Sequence, residues 1–139
     1  MKLVINRCYG GFGVSTEALK LLIARGSKAV EVSEPENYYG RRGLSGYEED
    51  VAKSRDAGDG YRCNPFVGTL YRDGKIYNYR SDHDTRNDPV LISVVEELGE
   101  KANGEFADLS IVEVPDDVSW EIDEYDGIES VHEVHRVWS

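Results

Sequence analysis

An Asp-Gly pair at positions 73–74 constrains the fold of this chain more than any other short feature of its sequence. It lies between two runs of alternating residues, and a two-residue Asp-Gly loop in that setting is the strongest short-range signal for a β-hairpin. Such a loop pairs Arg72 with Lys75 and Tyr71 with Ile76. At least part of the chain is therefore predicted to form antiparallel sheet.

Two further segments have the ends and the periodicity of amphipathic helices. Ser15 is a good N-cap for the first, which Gly26 ends. Asp88 is the predicted N-cap of the second, and Pro89 occupies its first helical position, where the missing N–H costs nothing. The apolar stripe of this second helix runs as far as Ala102. Strands are predicted at 2–6, 28–32, 109–114 and 118–123.

These elements predict an α+β fold: a single small domain over residues 1–139, mostly antiparallel sheet with two main helices. Asp126-Gly127 predicts another hairpin, so we expect strand rather than helix after Ile128, although the spacing at 128–138 fits either. Residues 33–66 carry five glycines and are predicted to form an irregular Gly/Tyr/Arg-rich insertion, with at most a short helix near 48–55. Irregular segments this long are usually functional or mobile.

Charge is unevenly distributed along the chain. The net charge is −11, yet residues 1–80 hold 13 Lys/Arg and 10 Asp/Glu, whereas residues 81–139 hold 3 and 17. This balance argues against general nucleic-acid binding, which needs a basic face. The sequence has no apolar run long enough to span a membrane and no secretory h-region. Two cysteines fit a reducing compartment, so we expect a soluble cytoplasmic protein.

The turn Arg7-Cys-Tyr-Gly-Gly-Phe-Gly13 separates the first strand from the first helix. Backbone N–H groups in such a turn can hold an anion at a helix N-terminus, and Cys8 is a candidate nucleophile there. The turn lacks the G-x-G-x-x-G spacing and the lysine of a P-loop. A small thiol beside a structural turn is the alternative reading.

Tyrosine and arginine are concentrated in the middle of the chain. Seven of the nine tyrosines and eight of the sixteen Lys/Arg lie within 38–80, among them Arg41 and Arg42. Aromatic rings stack on bases and guanidinium groups clamp phosphates, so this composition suits a nucleotide-like ligand. Tyrosine is also simply favoured in strands, which is the structural alternative.

Two acidic stretches contain candidate metal-binding or catalytic residues. Residues 81–88 begin like a Ca²⁺ loop, but Arg86 replaces an expected ligand and the distal glutamate is missing, so a capped loop is favoured and no metal is predicted. In the C-terminal stretch, paired carboxylates are candidates for acid–base work. His132 and His135 share a face only if that stretch is helical.

The segments INRCYGGFGVS, RNDPVLISVVEELG and IVEVPDDVSWEIDEYDGIESVHEVHRVW resemble a family of small uncharacterised proteins encoded in tailed-bacteriophage and prophage genomes. The resemblance covers residues 3–14 and 86–138. It implies a host-cell cytoplasmic setting and an action on a host component. The family's motif positions correspond here to Cys8, Tyr9, Gly10, Gly11, Phe12, Arg86, Asp88, Trp120, Tyr125, Asp126, Gly127, Glu129, Glu133, His135 and Trp138.

Three functions are compatible with the sequence. The favoured one is a homo-oligomeric protein without a cofactor that binds and sequesters a small nucleotide-derived host immune signal of cyclic-nucleotide or ADP-ribose type. The second is a hydrolase or transferase using Cys8 with His135 and a carboxylate, Glu133 or Glu129. The third is an acidic inhibitor or mimic that binds a host protein. The predicted ligand-binding residues are Arg7, Cys8, Tyr9, Gly10, Gly11, Phe12, Arg41, Arg42, Arg86, Asp88, Tyr125, Glu129 and His135.

Overall fold

A computed structural model describes residues 1–8, 12–64, 68–80, 82–104 and 107–134. Its strands are β1 (Lys2–Asn6), β2 (Val30–Ser33), β3 (Arg55–Gly58), β4 (Tyr61–Cys63), β5 (Leu70–Arg72), β6 (Lys75–Tyr79), β7 (Leu109–Glu113), β8 (Trp120–Tyr125) and β9 (Ile128–Glu133). Its α-helices are α1 (Thr16–Ala24), α2 (Pro35–Tyr39), α3 (Gly43–Lys53) and α4 (Pro89–Leu98). The predicted α+β class, with antiparallel sheet, is confirmed.

The hairpin predicted at 73–74 forms between β5 and β6 in the expected register, with Arg72 opposite Lys75 and Tyr71 opposite Ile76. Asp73 and Gly74 both have positive φ, at 52° and 76°, as a tight turn between twisted strands requires. This hairpin is the centre of a five-stranded antiparallel sheet with the order β2-β6-β5-β4-β3.

Helices cover both faces of this sheet. On one face Leu70 and Tyr61 join the main apolar core with residues of α1 and α4, including Leu19 and Leu91. Alternation along the strands directs Tyr71 to the opposite face, where α3 lies. The ring of Tyr47 in α3 meets Tyr71 edge-on, with 5.8 Å between centroids.

The prediction of an irregular insertion at 33–66 is wrong for most of that range, because it contains α2, α3, β3 and β4. Long-range contacts order these elements: the Tyr39 hydroxyl donates to Asp50 at 2.5 Å, and the Tyr47 hydroxyl accepts the Gly74 N–H at 3.2 Å. Tyrosine hydroxyl groups thus make contacts that apolar side chains usually make. Because α3 contains two glycines and few apolar residues, its composition does not indicate a helix.

Both predicted helix caps are confirmed. The Ser15 hydroxyl accepts the Ala18 N–H at 3.1 Å, and the Asp88 carboxylate accepts the Val90 N–H at 3.4 Å. α4 stops at Leu98, and a 3-10 turn continues its stripe to Ala102.

Two small antiparallel ribbons complete the fold. β1 pairs with β7, and β8 pairs with β9 as the hairpin predicted from Asp126-Gly127, which confirms strand for residues 128–133. β9 packs beside β1, so the hairpin lies against the body of the protein. None of the helices in the described ranges is long and apolar enough to cross a membrane.

Candidate binding cleft around Arg86 and Glu129

A buried ion pair joins the hairpin to the rest of the protein. The Arg86 guanidinium, 4% exposed, donates from Nη1 and Nη2 to the two oxygens of Glu129, 7% exposed, at 2.6 and 2.7 Å. This bidentate geometry is the strongest form of the interaction. The guanidinium also lies over the ring of Phe12, 4.0 Å from its centroid. Residues from three distant parts of the sequence therefore meet here.

Arg86 and Glu129 also form hydrogen bonds with the edge of β1 that faces away from β7. Val4 donates its N–H to the Arg86 carbonyl at 2.9 Å and accepts from Arg86 Nη1 at 3.2 Å. Asn6 donates its N–H to Glu129 Oε1 at 2.8 Å. Buried backbone groups need partners, and here an ion pair takes the place of a neighbouring strand.

Asn6, fully buried at the end of β1, holds the turn of the hairpin. Its side-chain amide donates to the carbonyls of Gly127 and Cys8, each at 2.7 Å. Its oxygen accepts N–H groups from Asp108 at 2.8 Å and from Cys8 at 3.2 Å. Asn6 is not among the predicted ligand-binding residues, although a polar side chain at the end of the buried run LVI is a usable signal.

Tyr79 extends this cluster into the core. Its ring stacks on Phe12, with 5.1 Å between centroids and 16° between planes. Burial raises the pKa of Tyr79 to about 12. The nearby Thr85 side chain and the positive charge of Arg86 both lower this pKa, but burial has the larger effect. No residue in the described part of the chain lies in hydrogen-bonding geometry with its buried hydroxyl.

Above the ion pair a cleft of about 330 Å³ opens to solvent. The 3-10 turn His83–Thr85 forms one side of it and β8–β9 the other. His83 lies flat on Trp120, with 3.7 Å between ring centroids and 10° between planes, and one ring nitrogen is 3.0 Å from the Trp120 carbonyl. The lining residues are His83, Arg86, Glu121, Ile122, Glu124 and Glu129.

The hairpin that bounds the cleft is densely acidic. Glu124 lies opposite Glu129 across the two strands, and its Oε1 accepts the Gly127 N–H at 2.6 Å. On the other face His132 lies between two carboxylates, 2.9 Å from Asp123 and 3.5 Å from Glu121. At the tip, the Tyr125 side chain is 82% exposed. We call β8, β9 and their turn, residues 120–133, the acidic hairpin.

The structure brings together part of the predicted ligand site. Phe12, Arg86 and Glu129 are in direct contact, and Cys8 joins them through Asn6. Tyr125 projects from the neighbouring hairpin tip. The guanidinium of Arg86, one of the predicted ligand-binding groups, is bound by the Glu129 carboxylate of the same chain.

Other predicted residues lie elsewhere or have local roles. Arg7 and Arg41 are exposed. Arg42, also exposed, pairs with Glu49 at 2.6 Å. Asp88 caps α4 and accepts the Ser27 hydroxyl. Tyr9, Gly10, Gly11 and His135 lie outside the described residues.

Three of the four residues predicted for a cysteine-dependent enzyme lie within the described ranges. Cys8 is half-buried, Glu133 is exposed opposite Trp120, and the Glu129 carboxylate is bound to Arg86. The pairing of Cys8 with His135 is a prediction that falls on a residue outside the described ranges.

In the loop that resembles the start of a calcium site, two of the aspartates interact with neighbouring protein groups. Asp82 lies 3.5 Å from Arg80, and Asp88 is a helix cap. Across the described part of the chain, no group of three or more His, Cys, Asp or Glu is placed to hold a metal ion.

The mid-chain tyrosines mostly serve packing. Tyr71 is fully buried, Tyr61 lies under the guanidinium of Arg72 at 4.0 Å, and burial together with the Asp50 hydrogen bond raises the pKa of Tyr39 far above its usual value. Tyr38 keeps an exposed ring.

No protein-family model, curated protein or solved structure matches this chain.

Proposed function

We propose that this chain is a binding protein that recognises a basic protein partner through the acidic hairpin. The observation that carries the proposal is the 82% exposed Tyr125, which lies between Glu124 and Asp126 in sequence, at the tip of a hairpin anchored by a buried ion pair. Tyrosine is enriched among the residues that dominate binding energy at protein interfaces.

The anchoring supports a binding role because it fixes the surface before a partner arrives. Arg86, Glu129 and Asn6 tie the hairpin to β1 through five hydrogen bonds with partners on both sides. A surface held in its bound shape loses little conformational entropy on association, so more of the contact energy appears as affinity.

Charge supports the choice of partner. The chain after residue 80 holds 17 acidic and 3 basic residues, and the hairpin displays several of those carboxylates to solvent. A surface of one sign accelerates encounter with the opposite sign and disfavours like-charged partners. With the resemblance to phage-encoded proteins, the partner in this proposal is a basic host protein.

The test measures binding of a short peptide of alternating arginine and serine to the chain. The hairpin variant carries Asp123→Asn, Asp126→Asn and Glu133→Gln, all outside the cleft lining. With about 0.5 kcal/mol for each exposed charge, its affinity should fall by about tenfold. The single variant Tyr125→Ala should also weaken binding, but without changing the salt dependence of the affinity.

The matched control carries Glu31→Gln, Glu48→Gln and Glu100→Gln, which remove the same charge from exposed positions outside the hairpin. If this control weakens binding as much as the hairpin variant, attraction is to overall charge and the proposal fails. Affinity that is unaffected by both variants contradicts it as well.

A second candidate, binding of a nucleotide-derived anion, is supported at the corner between α2 and α3. Arg41 and Arg42 are exposed there, Arg42 lies 5.7 Å from the Tyr39 ring, and the Tyr38 side chain is 45% exposed. Guanidinium groups beside aromatic rings suit a phosphate attached to a base.

Thermal shift with cyclic dinucleotides, cyclic ADP-ribose isomers, NAD and ATP tests this candidate. A ligand at a hundredfold over its Kd adds about 2.7 kcal/mol, which is several degrees for a domain of this size. Arg41→Ala should abolish the shift, and light scattering with and without ligand tests the predicted homo-oligomer. No shift with any of these compounds rejects them as ligands.

A further inference from the structure

We propose that the cleft beside the acidic hairpin receives one arginine side chain of the partner. This inference rests on the proposed function and specifies which chemical group the surface selects. It follows from the charge, the aromatic wall and the size of the cleft.

The charge of the cleft favours a cation. Arg86 and Glu129 form a bidentate pair, so their charges offset each other. Of the other two acidic residues of the lining, Glu124 lies on the same face of the hairpin as Glu129 and is exposed. The Glu121 carboxylate lies on the opposite face, 3.5 Å from His132. One oxygen of Glu124 is bound to the Gly127 N–H, which positions the carboxylate beside the cleft.

The wall of the cleft favours a flat cation with an apolar stem. One face of the His83 ring is covered by Trp120, and the side chain remains 54% exposed at the edge of the cleft. Guanidinium groups stack on such rings while donating to carboxylates, whereas a lysine ammonium is a strongly hydrated point charge. Ile122 offers an apolar surface for the methylene groups of an arginine.

The protein already holds one guanidinium in this manner. Arg86 lies 4.0 Å over the Phe12 ring and forks onto the Glu129 carboxylate. The cleft, which is open to solvent, contains the same two kinds of group, a ring in His83 and a carboxylate in Glu124. Its volume of about 330 Å³ is near the lower end of sites for small ligands, about 300–1,000 Å³, and is adequate for one side chain.

The experiment is a ¹⁵N NMR titration of the whole chain with capped Gly-Gly-X-Gly-Gly peptides in which X is arginine, lysine or citrulline. Citrulline keeps the shape of arginine without its charge. The arginine peptide should give saturable shifts at His83, Ile122 and Glu124, the lysine peptide several-fold weaker binding, and the citrulline peptide none. Free arginine is the fourth ligand and should bind no more tightly than the peptide.

Two variants locate the site. Glu124→Gln keeps the oxygen that accepts the Gly127 N–H but loses the charge, and should weaken arginine-peptide binding by about tenfold. His83→Ala should remove the preference for arginine over lysine. Glu100→Gln, which removes one exposed charge elsewhere, should bind as wild type.

Equal shifts with citrulline, an unchanged affinity in Glu124→Gln, or tighter binding of free arginine than of the peptide each overturn the inference. If the cleft titration fails while the alternating arginine-serine peptide still depends on the hairpin charges, only this inference falls. If both dependences are absent, the proposed function falls with it.

Discussion

At the scale of single residues, the buried pair of Arg86 and Glu129 decides how this protein is assembled. Both charges are removed from water, which is costly, and each is offset by the other and by backbone groups of Val4 and Asn6. The pair contributes less net stability than its geometry suggests, yet the loss of either partner alone leaves a buried charge unpaired.

Glu129→Gln is therefore expected to destabilise the protein by about 3–5 kcal/mol, measured by urea unfolding. Glu124→Gln, on the same hairpin but exposed, should cost less than about 1 kcal/mol. Replacement of both partners, Arg86→Met with Glu129→Leu, should recover part of the loss because no unpaired charge remains. A single Glu129→Gln variant as stable as wild type contradicts this view of the pair.

Tyr79 predicts a stability change at alkaline pH. Burial raises its folded pKa to about 12 from the usual 10, so the unfolded chain releases its proton first as pH rises. The stability from neutral Tyr79 is full below pH 10 and lost as pH rises through about 12, a change of about 2–3 kcal/mol.

Urea midpoints measured between pH 9 and 12 test the effect of Tyr79. Tyr79→Phe should lose less stability across that window than wild type. At neutral pH the same variant should be within about 1 kcal/mol of wild type, since no described residue is placed to bond the hydroxyl it removes.

At the scale of elements, short polar junctions set where helices and hairpins begin. Asp88 serves two elements, because one oxygen caps α4 and the other accepts the hydroxyl of Ser27, which in turn accepts the Ala29 N–H ahead of β2. The start of α4 and the entry to β2 are therefore fixed together.

Asp88→Ala should cost about 1–3 kcal/mol, because it removes the cap and leaves the Ser27 hydroxyl buried without its acceptor. Ser27→Ala should cost less, because the cap survives. Equilibrium unfolding of both single variants and the double variant gives the coupling, which should be at least about 0.5 kcal/mol. Strictly additive effects would show that the two contacts are independent.

At the scale of the whole molecule, charge separation along the sequence becomes separation in space only in part. The acidic hairpin collects carboxylates at one end, while surface pairs such as Lys75 with Glu34 and Lys20 with Asp59 neutralise charge elsewhere. Repulsion within the hairpin is the electrostatic cost of a surface that attracts basic partners.

Added salt should therefore stabilise the protein, with a higher urea midpoint at about 0.3 M than at about 0.02 M NaCl, because screening weakens repulsion between exposed carboxylates. The hairpin variant with Asp123→Asn, Asp126→Asn and Glu133→Gln should show a smaller salt dependence. An equal dependence in wild type and variant would place the repulsion outside the hairpin.

The sequence by itself determined the features that depend on neighbours along the chain. Turn geometry and helix capping act over a few residues. They determine the register at Asp73-Gly74, the second hairpin at Asp126-Gly127 and the helix caps at Ser15 and Asp88. These signals were enough for the α+β class. The motif positions of the resemblance also include Phe12, Arg86 and Glu129, but the resemblance does not indicate what these residues do.

Only the tertiary structure decided how Arg86 and Glu129 interact. Arg86 and Glu129 are 43 positions apart and meet because the hairpin packs on β1, so no local pattern reveals their pairing. The helices and strands within 33–66 depend on distant contacts in the same way, since Tyr47 of α3 contacts Tyr71 and Gly74 of the β5–β6 hairpin. Long-range contacts use polar groups here, and polar groups carry no periodic signal from which their partners can be inferred.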